Sequence, residues 1–359
     1  MSENRPSLAQ DNDLPQESIT TDDHLQPPTD GLTDDGLSDG GLTDGGTIIR
    51  THNLTKKFGE ETAVDAVTIE IPRGKIFGFI GPSGCGKTTT VRMMIGIYQP
   101  TAGEVTVFNQ QPLNFNRQQK EKIGYMPQLF VLYPALTVWE NLNFAASLYG
   151  VPWRRHKRLQ DLLSLVELEG HESKLVRNIS GGMQRRLSLA AALVHNPELL
   201  FLDEPTTGID PVLRRKFWDY FKELQAEGRT LFITTQYVGE AAYCDYIGVM
   251  DKGQLLMVET PEGLRRRATG GDMSDLKLTR RLTYEERNQL EAEPFVREVL
   301  VEGENTYRVV VEDASVDIPR LITWCGERDL EIELVREYLL PFDDVFVKLI
   351  EREGVNHVE

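Results

Sequence analysis

The sequence GPSGCGKTT at residues 81–89 constrains the fold of this 359-residue chain more than any other feature. It follows an apolar run at residues 75–81, KIFGFIG, which predicts a buried strand ending on glycine, and it precedes a predicted helix over residues 87–97. In the pattern G-x-x-x-x-G-K-[ST], backbone N–H groups and a helix N-terminus converge on phosphate oxygens. The sequence therefore predicts a phosphate-binding loop formed by Gly81, Pro82, Ser83, Gly84, Cys85, Gly86, Lys87, Thr88 and Thr89.

The loop also assigns roles to two of its side chains. Lys87 is expected to reach the β- and γ-phosphates of a nucleotide, and the Thr88 hydroxyl is expected to hold Mg²⁺. Cys85 lies beside Lys87 and a helix N-terminus, and both features lower the pKa of a thiol. We therefore expect a thiol-sensitive loop, with a packed, inert cysteine as the alternative.

A second chemical feature is the apolar run ELLFLDEP at residues 198–205, which ends in two carboxylates. Asp203 is expected to act on Mg²⁺, and Glu204 is the natural general base or orienter for an attacking water. An apolar strand that ends in Asp-Glu is common by itself. Together with the phosphate loop, it indicates nucleotide hydrolysis.

A third feature is the sequence NISGGMQRR, in which Ser180, Gly181 and Gly182 precede a strongly predicted helix. A serine cap followed by two glycines at a helix N-terminus can form a second anion site. The same residues would also serve as an ordinary helix cap.

Alternating strand and helix signals predict an α/β fold with a largely parallel, doubly wound sheet. Further strands are predicted at residues 64–71, 104–108, 122–126, 199–202, 230–234 and 246–250. Residues 138–168 are mostly helical in pattern, with Pro152 between two segments, and predict a helical insert within about residues 128–180. After Leu264, RRRATGGDMSD reads as a linker to a small α+β domain at residues 272–359, whose strand and helix signals suggest a ferredoxin-like topology.

Charge and cysteine content exclude several classes of protein. The net charge is −17, and residues 1–46 alone hold eleven acidic residues and one arginine, a composition that predicts a disordered tail. This excess of acid argues against general nucleic-acid binding, although it leaves room for a local basic patch. Three widely spaced cysteines suggest free thiols in a reducing compartment. No run approaches the roughly 18 apolar residues of a membrane span, and the N-terminus lacks a secretory signal pattern.

Taken together, the motifs at residues 48–260 resemble those of the nucleotide-binding subunit of an ABC transporter. The resemblance implies an ABC-type P-loop domain over residues 47–267, with ATP and Mg²⁺ bound between two subunits in a head-to-tail dimer. It also implies individual roles: Phe58 stacks on adenine, Gln128 contacts Mg²⁺ and the water, and Asp210 crosses the dimer interface. Ser180, Gly181, Gly182 and Gln184 form the signature that reads ATP bound to the opposite subunit.

Gln236 departs from the majority pattern of this family, which carries a histidine at that position. A glutamine amide still donates a hydrogen bond to a phosphate oxygen, but it cannot become charged. With Lys87, Asp203, Glu204 and Ser180 all present, we expect a slower but active ATPase, with Gln236, Glu204 and Gln128 as catalytic residues.

The segment TTQY, the SGGMQRR signature and the ending DDVFVKLIE resemble the ATPases of type-2 exporters of the daunorubicin-resistance kind. The resemblance implies a peripheral protein at the inner face of the cell membrane, held there by a separate permease that contacts residues 133–142. A homodimer is expected, and no nucleic acid. The alternatives are a non-transport ABC ATPase acting on ribosomes or DNA, and the ATPase of an importer.

Overall fold

The computed structural model describes residues 46–129 and 131–355 of the chain. The predicted acidic tail therefore lies almost entirely outside the described residues. Within them, the strands are β1 (Thr47–Phe58), β2 (Glu61–Pro72), β3 (Ile76–Ile80), β4 (Ala102–Val107), β5 (Ile123–Met126), β6 (Leu199–Asp203), β7 (Thr230–Thr235), β8 (Tyr246–Asp251), β9 (Gln254–Glu259), β10 (Asp272–Leu278), β11 (Val296–Val301), β12 (Thr306–Val311) and β13 (Ile332–Tyr338). The α-helices are α1 (Lys87–Met94), α2 (Arg117–Lys120), α3 (Val138–Leu148), α4 (His156–Leu165), α5 (Gly181–Leu193), α6 (Pro211–Ala226), α7 (Pro261–Thr269), α8 (Tyr284–Glu291), α9 (Ala314–Gly326) and α10 (Phe342–Val355).

The larger sheet has nine strands in the order β4-β1-β2-β9-β8-β3-β7-β6-β5. Its five strands β8, β3, β7, β6 and β5 run parallel, which confirms the predicted α/β core. The edge formed by β4, β1 and β2 is antiparallel, so the sheet is more mixed than the sequence predicted. The reason is a tight turn at Gly59 and Glu60, which joins β1 directly to β2 without a crossover helix.

Both faces of the parallel strands are covered, and every residue of β3, β6 and β7 is buried. One face packs against α3, α4, α5 and α6. The other face packs against α1 and the antiparallel strands. The functional loops therefore collect at the carboxyl ends of these strands, the usual ligand-binding edge of such a sheet.

Strand β1 was not predicted, and one helix boundary in this part of the chain differs from the prediction. Helix α1 ends at Met94 and not at Ile97, because Gly96 adopts a φ of 76° and a Cβ there would lie 2.5 Å from the Pro112 carbonyl oxygen. Strand β9 was not predicted. The helical insert is present as α3 and α4, and α3 begins with a capping box formed by Thr137 and Glu140.

The C-terminal part has the element order βαββαβ and a four-stranded antiparallel sheet in the order β11-β12-β10-β13. This is the ferredoxin-like arrangement suggested by the sequence. Helices α8 and α9 cover one face of the sheet with a separate apolar cluster that includes Leu290, Leu321 and Trp324.

The predicted linker after Leu264 is wrong in its extent. Thr260 caps α7, Pro261 occupies the first helical position, and the helix continues to Thr269 before Gly270 ends it at a φ of 81°. Only Gly270 and Gly271 separate α7 from β10. The last helix, α10, then returns to the first part of the chain and buries Val345 and Leu349 in the cluster that contains Leu264 of α7.

The helices of the described ranges include none that is both long and apolar enough to cross a bilayer.

Candidate functional site

The predicted phosphate loop joins β3 to α1 and borders a cavity of about 340 Å³. Its glycines are required by geometry at two points: a Cβ on Gly81 would lie 2.1 Å from the Met250 carbonyl oxygen, and Gly86 has a φ of 108°. Gly86 also caps α1, so the N–H groups of the first helical turn open toward the cavity. The cavity is lined by Glu61, Thr62, Ala63, Ser83, Gly84, Gly86, Lys87, Thr88, Thr89, Gln128, Glu204, Lys252 and Gly253.

Lys87 is almost fully buried, and its ammonium group lies within the curve of the loop. Nζ donates hydrogen bonds of 2.8 Å to the carbonyl oxygens of Gly81 and Pro82. These contacts hold a positive charge inside the phosphate loop. A phosphate group entering the loop would meet this charge directly.

Asp203 is fully buried and contacts Thr88, which lines the cavity. The Thr88 hydroxyl donates to Asp203 Oδ1 over 3.1 Å, and the Thr234 hydroxyl donates to the same oxygen over 2.5 Å. Burial raises the pKa of Asp203, while the two hydroxyl groups act in the opposite direction. Oδ2 is buried and has no hydrogen-bond partner among the described residues. An unpaired carboxylate oxygen beside a threonine hydroxyl suits a hard cation such as Mg²⁺.

Glu204 is the first residue beyond β6, and its backbone has a φ of 52°, in the left-handed region. Its N–H group donates to both the carbonyl oxygen and the hydroxyl of Thr234, at 3.1 and 3.0 Å. Such a conformation is unfavourable for a non-glycine residue and is often found at functional sites. Here it turns the carboxylate out of the strand and into the lining of the cavity.

The Gln128 amide orients this carboxylate. Its Nε2 donates to Glu204 Oε2 over 3.1 Å, and the Thr207 hydroxyl donates to the same oxygen over 3.2 Å. The Gln128 carbonyl oxygen in turn accepts a 2.8 Å hydrogen bond from Arg185 of α5. The structure thus joins Gln128 to Glu204 by a direct contact, and the predicted contact of Gln128 with Mg²⁺ stays a prediction.

Arg185 and Thr234 are structural contributors that sequence reasoning did not assign. Arg185 is buried, and burial lowers its pKa while the charges of Glu204 and Asp203 raise it. Thr234 lies opposite Asp203 in the pairing of β6 with β7. For Arg185, the two consecutive arginines in SGGMQRR were a sequence signal that could have identified it. The threonine could be found only from the strand register.

Ser180, Gly181 and Gly182 lie outside this cavity, at the exposed N-terminus of α5. Ser180 Oγ accepts a 3.2 Å hydrogen bond from Met183 N, so the predicted helix cap is formed. Gln184 turns inward and donates to the carbonyl oxygens of Val176 and Ile179, at 3.2 and 3.4 Å. A role for these residues toward a second subunit's ATP stays a prediction.

Three other predicted residues also lie away from the cavity lining. Asp210 caps α6 by accepting from Val212 N and Leu213 N, and these N–H groups lower its pKa. Phe58 is half-exposed at the end of β1 and packs edge-on against Tyr98, with 5.5 Å between ring centroids. Gln236 is exposed immediately after β7. Their predicted contacts with adenine, γ-phosphate and a second subunit stay predictions.

The expected lowering of the Cys85 pKa is wrong. The side chain is only 4% exposed, and burial raises the pKa of the thiol more than nearby Lys87 lowers it. The expectation of free thiols is confirmed: Cys85, Cys244 and Cys325 are all unpaired and buried.

Three features define a nucleotide-binding cassette of the P-loop class. They are the phosphate loop between β3 and α1, the adjacent carboxylates of Asp203 and Glu204, and the glycine-rich cap of α5. A family model for the ABC transporter matches residues 64–207. The Nod factor export ATP-binding protein I of Burkholderia lata is 33% identical over 303 residues, which cover 84% of this chain and 96% of that protein. The chain belongs to the family of ABC transporter ATP-binding proteins and binds ATP.

Other relatives share the same cassette. The linearmycin resistance ATP-binding protein LnrL of Bacillus subtilis (strain 168) is 37% identical over 63% of this chain and 73% of that protein. The probable multidrug ABC transporter ATP-binding protein YbhF of Escherichia coli (strain K12) is 38% identical over 64% of this chain, but the match spans only 40% of its own length. A solved dimer of the cassette MJ0796 bound to ADP and phosphate aligns with 59% of this chain and 98% of its own, at 29% identity and a TM-score of 0.55.

Proposed function

We propose that this chain is the ATP-hydrolysing subunit of an ABC exporter. Two copies close on two ATP molecules, and their closing and opening drive a separate membrane permease. The observation that carries the hydrolytic step is the position of Glu204, whose carboxylate lines the phosphate cavity and is oriented by Gln128. A carboxylate in this position can accept a proton from water that attacks the γ-phosphate.

Other residues near Glu204 bind the phosphates and Mg²⁺ in this proposal. Lys87 and the loop N–H groups hold the phosphates, and Gln236 donates a neutral hydrogen bond to the γ-phosphate from the end of β7. The Thr88 hydroxyl and Asp203 hold Mg²⁺, whose charge offsets that of the phosphate oxygens when it is bound. The unpartnered Oδ2 of Asp203 supports this assignment.

Open space around the signature glycines supports the dimer. Apart from its own helix, a Cβ added to Gly181 or Gly182 would meet no atom of the described residues within 4 Å, and neither residue has a positive φ. Glycine within a helix costs about 0.5–1 kcal/mol relative to alanine. Since the chain's own packing does not require these glycines, we infer that they serve the close approach of a ligand outside it, the ATP held by the second subunit.

A surface on the helical insert supports the permease contact. Tyr133 and Phe144 are exposed and pack edge to face, with 4.9 Å between ring centroids, and Leu129 and Val131 are more exposed still. We call Leu129, Val131, Tyr133 and Phe144 the insert surface. Exposed apolar groups in one region indicate a protein or membrane contact. The permease would hold the chain at the inner face of the membrane.

The export direction is supported by relatives whose names refer to Nod factor export and linearmycin resistance. The transported molecule is not defined by this chain, because substrate contacts would lie in the permease. Co-purification with a polytopic membrane protein tests the transport role. Tyr133→Asp and Phe144→Asp should each abolish this co-purification while ATP turnover is retained. Association with ribosomes or DNA in place of a permease would favour the alternative class.

Substitution of Glu204 tests the hydrolytic step. Glu204→Gln keeps the size and polarity of the side chain but removes the base, so turnover should fall roughly 10²- to 10⁴-fold while ATP binding persists. Glu198→Gln, at an exposed position just before the same strand, should change turnover less than about twofold. Phosphate release and equilibrium ATP binding measure the two quantities. Turnover at the wild-type rate in Glu204→Gln would contradict the assigned base.

A further inference from the structure

A strongly basic segment spans the connection from α3 to α4 and the first turn of α4 in this acidic chain. Residues 153–158 read WRRHKR, and no acidic residue occurs between Glu140 and Asp161 although the chain holds 56 in all. We call residues 153–158 the basic loop. Its concentration of positive charge is not explained by nucleotide binding, because none of its residues lines the phosphate cavity.

Two arginines of the basic loop fix its conformation through neutral acceptors. Arg155 is buried and donates to Asn143 Oδ1, Ser147 Oγ and the Val151 carbonyl oxygen, at 2.8, 2.6 and 2.8 Å. Arg158 donates to the carbonyl oxygens at the end of α5. Neither arginine forms an ion pair with a carboxylate in the described part of the chain. Their charges therefore contribute to the local potential without being neutralised.

The other two cations of the basic loop point to solvent. Arg154 and Lys157 are exposed, and neither has an ion-pair partner within residues 46–129 and 131–355. Burial lowers the pKa of nearby His195, and the charge of Arg158 acts in the same direction, whereas the hydrogen bond with the Ile123 carbonyl oxygen and the charge of Glu121 raise it. Arg154, Arg155, Arg158, His195 and Tyr149 line a cavity of about 370 Å³ beneath the loop. The one acidic side chain in its lining, Glu121, is paired with Arg117 at 2.8 Å.

Trp153 begins the basic loop and is 95% exposed, whereas Trp218 and Trp324 are buried. Leu148, at the end of α3, is also exposed. Tryptophan beside lysine and arginine is typical of segments that lie at the membrane–water interface. The ring of His156 packs against that of Trp139 on α3, with 4.8 Å between centroids, so the basic loop continues from the helix that carries the proposed permease surface.

We propose that the basic loop is a binding site for the surface of an anionic phospholipid membrane. Trp153 inserts among the headgroups, Arg154 and Lys157 bind their phosphates, and the cavity beneath the loop admits one phosphate group. The four unneutralised cations are complementary to an anionic surface, and Trp153 and Leu148 supply the apolar contact. This contact goes beyond the proposed function, because the chain would touch the membrane without its permease.

Vesicle binding by the purified full-length chain tests the proposal. The chain should sediment with vesicles of phosphatidylcholine and phosphatidylglycerol but not with phosphatidylcholine alone, and added salt should weaken the binding. Tryptophan emission should shift to the blue on binding, and Trp153→Phe should abolish the shift. Arg154→Gln with Lys157→Gln should lower the partition coefficient about 30-fold, roughly fivefold for each charge removed.

A matched pair elsewhere supplies the control. Arg215 and Lys222 are exposed on α6 and form no ion pair among the described residues, so Arg215→Gln with Lys222→Gln should bind vesicles as the wild type does. Equal loss in both pairs, or equal binding to both kinds of vesicle, would overturn the proposal. Binding of soluble glycerol phosphate or of nucleic acid without vesicle binding would also overturn it. ATP turnover without lipid and co-purification with the permease are also measured on the double variant Arg154→Gln with Lys157→Gln. Both should be unchanged, so that a loss of vesicle binding can be told apart from a failure of the proposed function.

Discussion

Gln236 occupies the point where β7 meets the phosphate loop. The carbonyl oxygen of the preceding residue, Thr235, accepts a 3.4 Å hydrogen bond from Gly81 N, and the Thr235 hydroxyl accepts from Tyr237 N at 3.0 Å. The Tyr237 ring lies beneath the guanidinium of Arg214, 4.2 Å away. Residues on both sides of Gln236 are thus fixed, while Gln236 itself is exposed, and its contact with the γ-phosphate stays a prediction.

Substitutions of Gln236 should separate hydrogen bonding from charge. Gln236→Ala removes the donor and should lower ATP turnover about 5- to 150-fold, equivalent to 1–3 kcal/mol of barrier. Gln236→His restores a donor that can become charged and should equal or exceed the wild-type rate. Steady-state phosphate release measures both. Gln289→Ala, at an exposed position on α8, is the control. Wild-type turnover with unchanged KM in Gln236→Ala would show that the amide is a bystander.

Cys85 should be unreactive in the folded chain despite its position in the phosphate loop. Because burial raises the pKa of the thiol, little thiolate forms near neutral pH, and the reactive fraction increases only as the pH rises toward that pKa. Burial also raises the pKa of Cys325 to about 11. Iodoacetamide labelling at pH 7, followed by mass spectrometry, should be slow when folded and fast after unfolding. Rapid inactivation that ATP prevents and Cys85→Ser abolishes would contradict this expectation.

The main site residues could be predicted because each lies in a contiguous motif whose local geometry the sequence dictates. Lys87 and Thr88 follow the loop glycines directly, and Asp203 and Glu204 follow an apolar strand. Thr234 could not be predicted in the same way, since its contact with Asp203 depends on the register between β6 and β7. The Cys85 pKa was mispredicted because the sequence revealed its charged neighbour but not its burial.

At the scale of elements, α10 joins the C-terminal part to the segment that follows Gln236. Phe342 lies under the guanidinium of Arg265 of α7, at 4.0 Å. Val345 and Leu349 of α10 share a buried cluster with Ala241, which lies in the short helix Val238–Tyr243 directly after Gln236. Disturbing α10 should therefore affect both stability and the position of this segment.

Leu349→Ala tests the contribution of α10. The side chain is 2% exposed, and its loss should lower the free energy of unfolding by about 2–5 kcal/mol. Val347→Ala on the same helix is the matched control: Val347 is 56% exposed, and its substitution should change stability by no more than about 0.5 kcal/mol. Urea unfolding and ATP turnover are measured on both. Equal unfolding midpoints in the two variants would show that α10 does not stabilise the chain.

Elements with strong periodicity or a long apolar run could be predicted from the sequence, and those defined by weaker signals could not. The apolar strands β3 and β6 were located to within a residue or two. Helix α7 was read as a linker because its arginines and glycines outweighed the Thr-Pro start signal at Thr260 and Pro261. Strand β9, which lies between β2 and β8, was missed because its four consecutive apolar residues, LLMV, do not alternate with polar ones, and only Met257 among its six residues is buried.

At the scale of the whole molecule, the phosphate loop and the signature of one chain occupy different surfaces. Lys87 and Glu204 line the cavity, whereas Ser180 and Gly181 are exposed at another helix N-terminus. If each ATP is held by the loop of one subunit and the signature of the other, one subunit alone should hydrolyse ATP poorly. In such a two-fold dimer, each ATP site combines the phosphate loop of one subunit with the signature of the other. A substitution in the loop of one subunit and a substitution in the signature of its partner therefore fall in the same ATP site.

Mixing two inactive variants uses this geometry as a test. Lys87→Ala removes the phosphate contact, and Gly181→Asp places a carboxylate where the partner's γ-phosphate would approach, so each variant alone should be inactive. In a mixed dimer, one site carries both defects and the other carries neither. An equimolar mixture should therefore recover up to about a quarter of wild-type turnover, because about half of the dimers are mixed and each has one intact site. Differently tagged variants, captured with ATP through one tag, report whether mixed dimers form. If mixed dimers form but turnover is not recovered, the two motifs do not share an ATP in the proposed way. As the control, two differently tagged samples of Lys87→Ala are mixed, and these should recover no turnover.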